Sequence, residues 1–429
     1  MKTSSAFCRA RILGVALCTV LGPVLCSAQE QAGTSRLAEV RITGSKRFTS
    51  DQVAAATGLR VGSPVGHDDL QRAADTLAKT GRFSNVEYRY GDSEQGVRVE
   101  YQVTDAAAVA ISFDNFPWFT DDEMIQALKA SIPLFDGTAP EGGSVLDDIS
   151  DALQIQIAKA GVHSTVSHAL TTAPGSDERV QQFRVDEQQL SVTGVRFGDD
   201  LAQSDRGLHT RLPDVVGAKY SRTALELFEI EQVRPVYLSH GFLRVRFPAP
   251  TAKVVGNGVA IDLPIDPGPA FTWRPVTWTR NTVLGPLELA TLVPLHEGDT
   301  ADGTKIEQGW QAISNAYAGH GYLDANLSPV PHFDDAAKTV TYSVTITEGP
   351  QYHMGKLVLT GLSTEGEKRI RDAWKIPAGA AFDRGVYNDF ITTGIKQAFM
   401  GLPFHYEKIG RFLEEHSQDA TVDVLIDFQ

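Results

Sequence analysis

Gly81, Gly161, Gly241, Gly321 and Gly401 stand eighty residues apart at every step. Among 38 glycines in 429 residues such spacing alone would decide nothing, so the neighbours matter. Each glycine closes a run with helical spacing of apolar residues. Each then opens a strand-like run through an apolar side chain: Phe83, Val162, Phe242, Tyr322 and, after Gly401, Leu402 and Phe404. A residue just past a helix end commonly takes positive φ, which glycine adopts without a Cβ clash. Five such junctions in register predict tandem copies of a unit of about eighty residues, not one large core.

The units read as β-α-α-β-β over 36–105, 106–188, 189–268, 269–350 and 351–429. The expected class is α+β, an array of five small domains, each a three-stranded mixed sheet with two helices on one face. In the first, Val40 and Ile42 alternate in a strand ending at Gly44. Thr49 and Gln52 form a capping-box pattern, with Phe48 placed to staple against Val53, and Leu70, Ala73, Ala74 and Leu77 mark the buried stripe of a second helix. Two strands follow over 86–90 and 97–103, with the turn expected at Gly91-Asp92. The second unit repeats the capped start at Phe119-Thr120-Asp121-Asp122-Glu123-Met124 and separates its helices by a Gly/Pro-rich insert at 136–144. Its aromatic group, Phe113, Phe116, Trp118 and Phe119, reads as core filling. In the third unit Pro235 lies six residues before Gly241, where a proline should kink or shorten the helix. In the fifth, Phe390, Ile391, Ile395 and Phe399 line the second helix at positions shifted from those of the earlier units.

The chain starts with Lys2, Arg9 and Arg11, a mostly apolar run over 12–25 and then small residues. That is the pattern of a secretory signal over 1–28, cut after Ala28. Cys8, Cys18 and Cys26 all precede the cut, so the expected mature chain has no disulfide, thiolate metal site or cysteine nucleophile. It carries 36 Lys and Arg against 53 Asp and Glu, a net charge of −17, poorly suited to nucleic acid or to anionic membrane surfaces.

Catalytic and metal patterns are weak. The segment 299–303 lacks the carboxylate spacing and closing Glu of a calcium loop, and Gly256-Asn257-Gly258 lacks the third glycine and the helix of a dinucleotide site. His163 and His168 fall five apart on an expected strand and so on opposite faces. No GxSxG or HExxH occurs. The expectation is a non-enzymatic protein with no cofactor and no metal.

The strand endings Val40-Arg41-Ile42-Thr43-Gly44 and Leu357-Val358-Leu359-Thr360-Gly361, the G-x-F-like junction at Gly81 and the closing alternating strands resemble the POTRA domain. This is the periplasmic module of BamA-type outer-membrane protein assembly factors. The first unit matches well, the third mainly by position. The resemblance implies a periplasmic scaffold, peripheral to the outer membrane at most, that binds unfolded outer-membrane protein clients. Its further implied partners are a separately encoded β-barrel subunit or accessory lipoproteins. Those factors continue into a membrane barrel, whereas this sequence ends at Gln429, short of the several hundred residues a sixteen-stranded barrel needs. Binding would use an unpaired sheet edge, to which an extended client adds as a strand through main-chain hydrogen bonds. The alternative is a spacer or tether across the periplasm that binds no client.

Overall fold

A computed structural model describes residues 35–400 and 406–429. Gly401, Leu402, Phe404 and the expected signal with its three cysteines lie outside the described residues. The chain divides into two compact units, one ending at Ala106 and one running from Ala107 to Gln429.

The first unit holds β1 (Ser35–Thr43), α1 (Ser50–Ala56), β2 (Pro64–Val65), α2 (His67–Lys79), β3 (Phe83–Ser93) and β4 (Gly96–Asp105), with sheet order β2-β1-β4-β3. The capping box at Thr49 and Gln52 is formed, and Phe48 and Val53 are both buried. Leu70, Ala73, Ala74 and Leu77 line the buried stripe of α2. The hairpin turn falls at Glu94-Gln95, not at Gly91-Asp92, because both of those residues pair within the ladder.

Within 107–429 four further sheets form. The second sheet takes β5 (Val109–Phe113), α3 (Asp121–Ser131), β6 (Thr138–Ala139), α4 (Val145–Ala158), β7 (Val166–Thr172) and β8 (Arg179–Val185). The third takes β9 (Ser191–Phe197), α5 (Asp200–Ser204), α6 (Arg206–Arg211), α7 (Arg222–Phe228), α8 (Arg234–Ser239), β10 (Thr251–Val255) and β11 (Gly258–Leu263). The fourth takes β12 (Thr272–Trp273), β13 (Thr277–Thr279), α9 (Pro286–Leu292), α10 (Gly303–Gly319), β14 (Asn326–Asp334) and β15 (Thr339–Thr347). The fifth takes β16 (His353–Thr360), α11 (Thr364–Ala373), α12 (Arg384–Asp389), α13 (Ile395–Ala398), β17 (Ile409–His416) and β18 (Thr421–Phe428). In all five sheets the last strand lies in the middle, parallel to the first strand and antiparallel to the hairpin strand before it.

Three sheets have four strands where three were expected. In the first two, the loop between the helices contributes a two-residue strand antiparallel to the first strand. In the fourth, the first strand is split into β12 and β13 around Pro275. The third, fourth and fifth sheets repeat the inter-helix bridge as single pairs, Ser191 with Lys219, Thr272 with Thr300 and His353 with Ala381. The arrangement is common to all: the inter-helix loop returns past the near end of the first strand, whose free backbone groups pair with those of the loop.

Pro235 does not shorten its helix. Residues Glu229–Val233 form a π-turn between α7 and α8, which absorbs the donor that proline lacks. A second π-turn, Phe390–Gly394, joins α12 to α13.

Each of the four later sheets has its own buried cluster, which includes Phe183, Tyr237, Trp310 and Phe390 in turn. The end of the first strand makes a close approach that only glycine permits. A Cβ on Gly44, at φ +101°, would sit 2.1 Å from the Val103 carbonyl oxygen, and one on Gly361 would sit 1.8 Å from that of Phe428.

Candidate polypeptide-binding edges and the joints that present them

The repeated glycines sit where the helices end. Gly81, Gly161, Gly241 and Gly321 have φ of +76°, +77°, +82° and +86°. Behind three of them the next amide, at Val162, Phe242 and Tyr322, reaches back five residues to Ile157, Tyr237 and Tyr317, which satisfies helix-end carbonyls. The structure does not gather these glycines into a site. Two of them also serve as joints. The carbonyls of Gly241 and Gly321 accept the amides of Phe271 and Tyr352 at 3.0 and 2.8 Å, tying each helix end to the start of the next module. Beside the first of these joints, Arg244 lies over the rings of Phe271 and Phe333 and pairs with Asp335. Beside the second, the Tyr352 hydroxyl donates to Asp324 at 2.7 Å.

The joint between the second and third modules is built differently. Asp114, 1% exposed, stands at the end of β5. Its Oδ1 accepts the Ser221 hydroxyl at 2.8 Å and the Thr223 amide at 2.9 Å, its carbonyl accepts the Arg222 amide, and Arg184 approaches Oδ2 at 3.3 Å. A carboxylate of one module thus caps the helix start of another, where unpaired amides favour negative charge. Burial works against the Arg222 charge, but the hydrogen bond and charge of Asp121 outweigh it and raise the Arg222 pKa. Burial pushes the neighbouring Tyr220 phenol up to about 12.

A groove of about 380 Å³ opens at this joint, lined by Trp118, Phe119, Tyr220, Arg222 and Thr251. The aromatic group expected to fill the core therefore divides. Phe113 and Phe116 are buried, while Trp118 and Phe119 are half-buried and pack against the same core, and all four line the groove. The groove runs into the start of β10, an edge strand.

The two rims of each sheet are unequal. The first strand is bridged by the inter-helix loop at its near end, whereas the hairpin strands β3, β7, β10, β14 and β17 stand at the opposite edge with no strand beyond them among the described residues. Strand β14 differs because it carries Pro329 and Pro331, two residues apart and so of one hydrogen-bonding parity. Proline in a ladder is tolerated only where its missing donor would point outward, so the outer rim of β14 lacks two donors.

The patterns set aside as catalytic have structural roles. Asp299 accepts the His296 amide, and Asp302 caps α10. Gly256 and Asn257 form the turn of the β10–β11 hairpin. His168, on β7, contacts Gln181 and Asp147, while His163 precedes the strand. Among the described residues no group of three or more His, Cys, Asp and Glu is placed to hold a metal, and no helix is long and apolar enough to cross a membrane. Sequence reasoning missed Asp114 and Glu229. The available signal for Asp114 was a departure: Phe113-Asp114-Asn115 stands where the first and fifth units end their first strand in glycine. Glu229 lies in the π-turn, 3% exposed, with no partner on Oε1, and burial followed by the nearby Glu226 raises its pKa to about 8.

Small β-α-α-β-β modules, each with one bridged rim and one open rim, define a class of modular α+β protein. The family model of POTRA, described as surface antigen variable number repeat, matches residues 35–106 and 271–349, so the chain carries POTRA domains in these two segments. A Treponema pallidum protein named for outer membrane protein assembly is 24% identical over 223 residues, covering 49% of this chain and 26% of that one. Outer membrane protein assembly factor BamA of Nitratidesulfovibrio vulgaris is 19% identical over 370 residues, covering 80% of this chain and 44% of that one. The chain thus spans less than half the length of these curated relatives. A crystal structure of Haemophilus influenzae BamA POTRA3-5 aligns with a TM-score of 0.43 at 18% identity, covering 56% of this chain and 96% of that one.

Proposed function

We propose that this chain is a polypeptide-binding scaffold of outer-membrane protein assembly that works in the periplasm after export. All five sheets then count as POTRA modules, bounded at 36–105, 106–188, 189–268, 269–350 and 351–429. Its clients are extended, β-rich segments of outer-membrane proteins, and a β-barrel or accessory lipoproteins are its further partners. The observation that carries this reading is the open rim of the hairpin strands, which offers main-chain donors and acceptors without demanding a particular client sequence. The names of the relatives support the setting. The groove at Trp118 and Phe119 gives a client lying along β10 a place for an apolar side chain.

The competing role is a spacer, favoured by the fixed joints at Asp114, Gly241 and Gly321. Photo-cross-linking separates the two. A photoreactive residue at Val255 on β10 or Tyr90 on β3, both exposed, should capture an unfolded outer-membrane protein, whereas one at Val330 on the proline-guarded β14 should not. Equal capture at all three positions, or none at any, contradicts edge binding.

A further inference from the structure

Each sheet turns one face to its own helices and the other outward, and the outward rows can be read from the register. In the first sheet the middle row is Arg41, Glu100 and Arg89, with Arg89 bonded to Glu100 at 2.9 Å. In the third it is Arg196, Asp262 and Thr251, again with an ion pair. In the fourth it is Thr277, Ser343 and Val330, with His332 bonded to Ser343. These rows are what water-facing antiparallel strands normally carry. The fifth sheet breaks the pattern: its row is Val358, Leu425 and Phe412, directly opposite one another across all three strands. Phe412 is 62% exposed and Val358 37% exposed, and none of the three belongs to the buried cluster beneath.

The second sheet reveals what such a face can hold. Its outward row is Ser112, Gln182 and Ala169, and α7 with the π-turn after it lies against part of this face, over Gln182, while Ala169 stays exposed. Gln182 donates to the Thr223 hydroxyl at 2.9 Å, Ile230 packs against Gly175 in the β7–β8 loop, and Val180 on this face is only 8% exposed. Small residues let that helix sit close, with Arg222 paired to Asp121 beside it. The fifth sheet offers a larger apolar row on a face that also carries Glu414, Asp423 and Asp427 against Lys356 as its one lysine or arginine. Asp427 is kept below the usual carboxylate range by hydrogen bonds from Thr360 and Gln429.

We infer that the open face of the fifth sheet docks an amphipathic helix of a partner polypeptide, apolar along one stripe and bordered by lysine and arginine. Burial of the Val358, Leu425 and Phe412 row supplies the attraction, and the flanking carboxylates select the charge of the partner.

The test uses the full chain and two synthetic eighteen-residue helical peptides, one of leucine and lysine and one of leucine and glutamate. Amide resonances are followed on titration. The leucine–lysine peptide should shift Val358, Phe412 and Leu425 and lose affinity as salt rises, and the leucine–glutamate peptide should not bind. Phe412→Glu should weaken binding at least tenfold, as should Val358→Lys, with circular dichroism and melting temperature confirming that both variants fold. General attraction of a cationic peptide to an acidic protein predicts the opposite for Phe412→Glu, a tighter complex, and that result overturns the inference. So do shifts confined to helix surfaces, equal binding of both peptides, or a concentration-dependent dimer that Phe412→Glu dissolves, which would assign the face to a second copy of this chain.

Discussion

Glu229 has no counterpart among the residues that sequence patterns pick out, yet among the described residues its carboxyl is shifted the furthest toward neutral pH. It is buried in a π-turn, with one oxygen unpartnered and Glu226 nearby, and its pKa rises from 4.5 to about 8. Between those values the folded protein keeps a proton that the unfolded chain has released. Stability from this group therefore falls as pH rises through that window, and the penalty is complete above about pH 8. Glu229→Gln removes the charge while keeping the shape. The variant should match the parent near pH 4 and exceed it at pH 9 by on the order of 2 kcal/mol, read from denaturant unfolding at the two pH values. A constant difference across that range would contradict a buried proton at this position.

At the scale of elements, local signals were legible and long-range ones were not. The capping boxes at Thr49 and Thr120 formed as the sequence predicts because every participant lies within four residues. The glycine junctions were readable for the same reason. The π-turns escaped, because one residue inserted into a helix changes periodicity by less than a short window resolves; Pro235 announced a disturbance without saying whether the helix would break or widen. The Asp114 joint escaped because its partners lie more than a hundred residues away. Here Asp114→Ala should cost about 1–3 kcal/mol, because it strips acceptors from the Ser221 hydroxyl and the Thr223 amide and leaves Arg184 without its carboxylate. Hydrogen exchange at Thr223 should accelerate while exchange along α10 stays unchanged. Uniform acceleration across the third and fourth modules would mean that Asp114 supports the whole unit, not one helix start.

For the whole molecule, the eighty-residue period correctly anticipated small mixed sheets with helices, because each sheet buries its own cluster and leaves a local trace in the sequence. It gave no hint that residues 107–429 would form one compact unit, since the joints depend on backbone carbonyls and one carboxylate that leave no periodic mark. The candidate site was legible in kind only. An unpaired rim follows from any three-stranded sheet, but the bridge closing the opposite rim and the missing donors of β14 emerge only with the register. The central claim is that extended polypeptides add to the hairpin edges. Hydrogen–deuterium exchange of the full chain, with and without a peptide copying an outer-membrane protein strand, tests it most directly. The account predicts new protection on β3, β7, β10 or β17 and none on β14; protection confined to helices and loops, or spread equally onto β14, would contradict it.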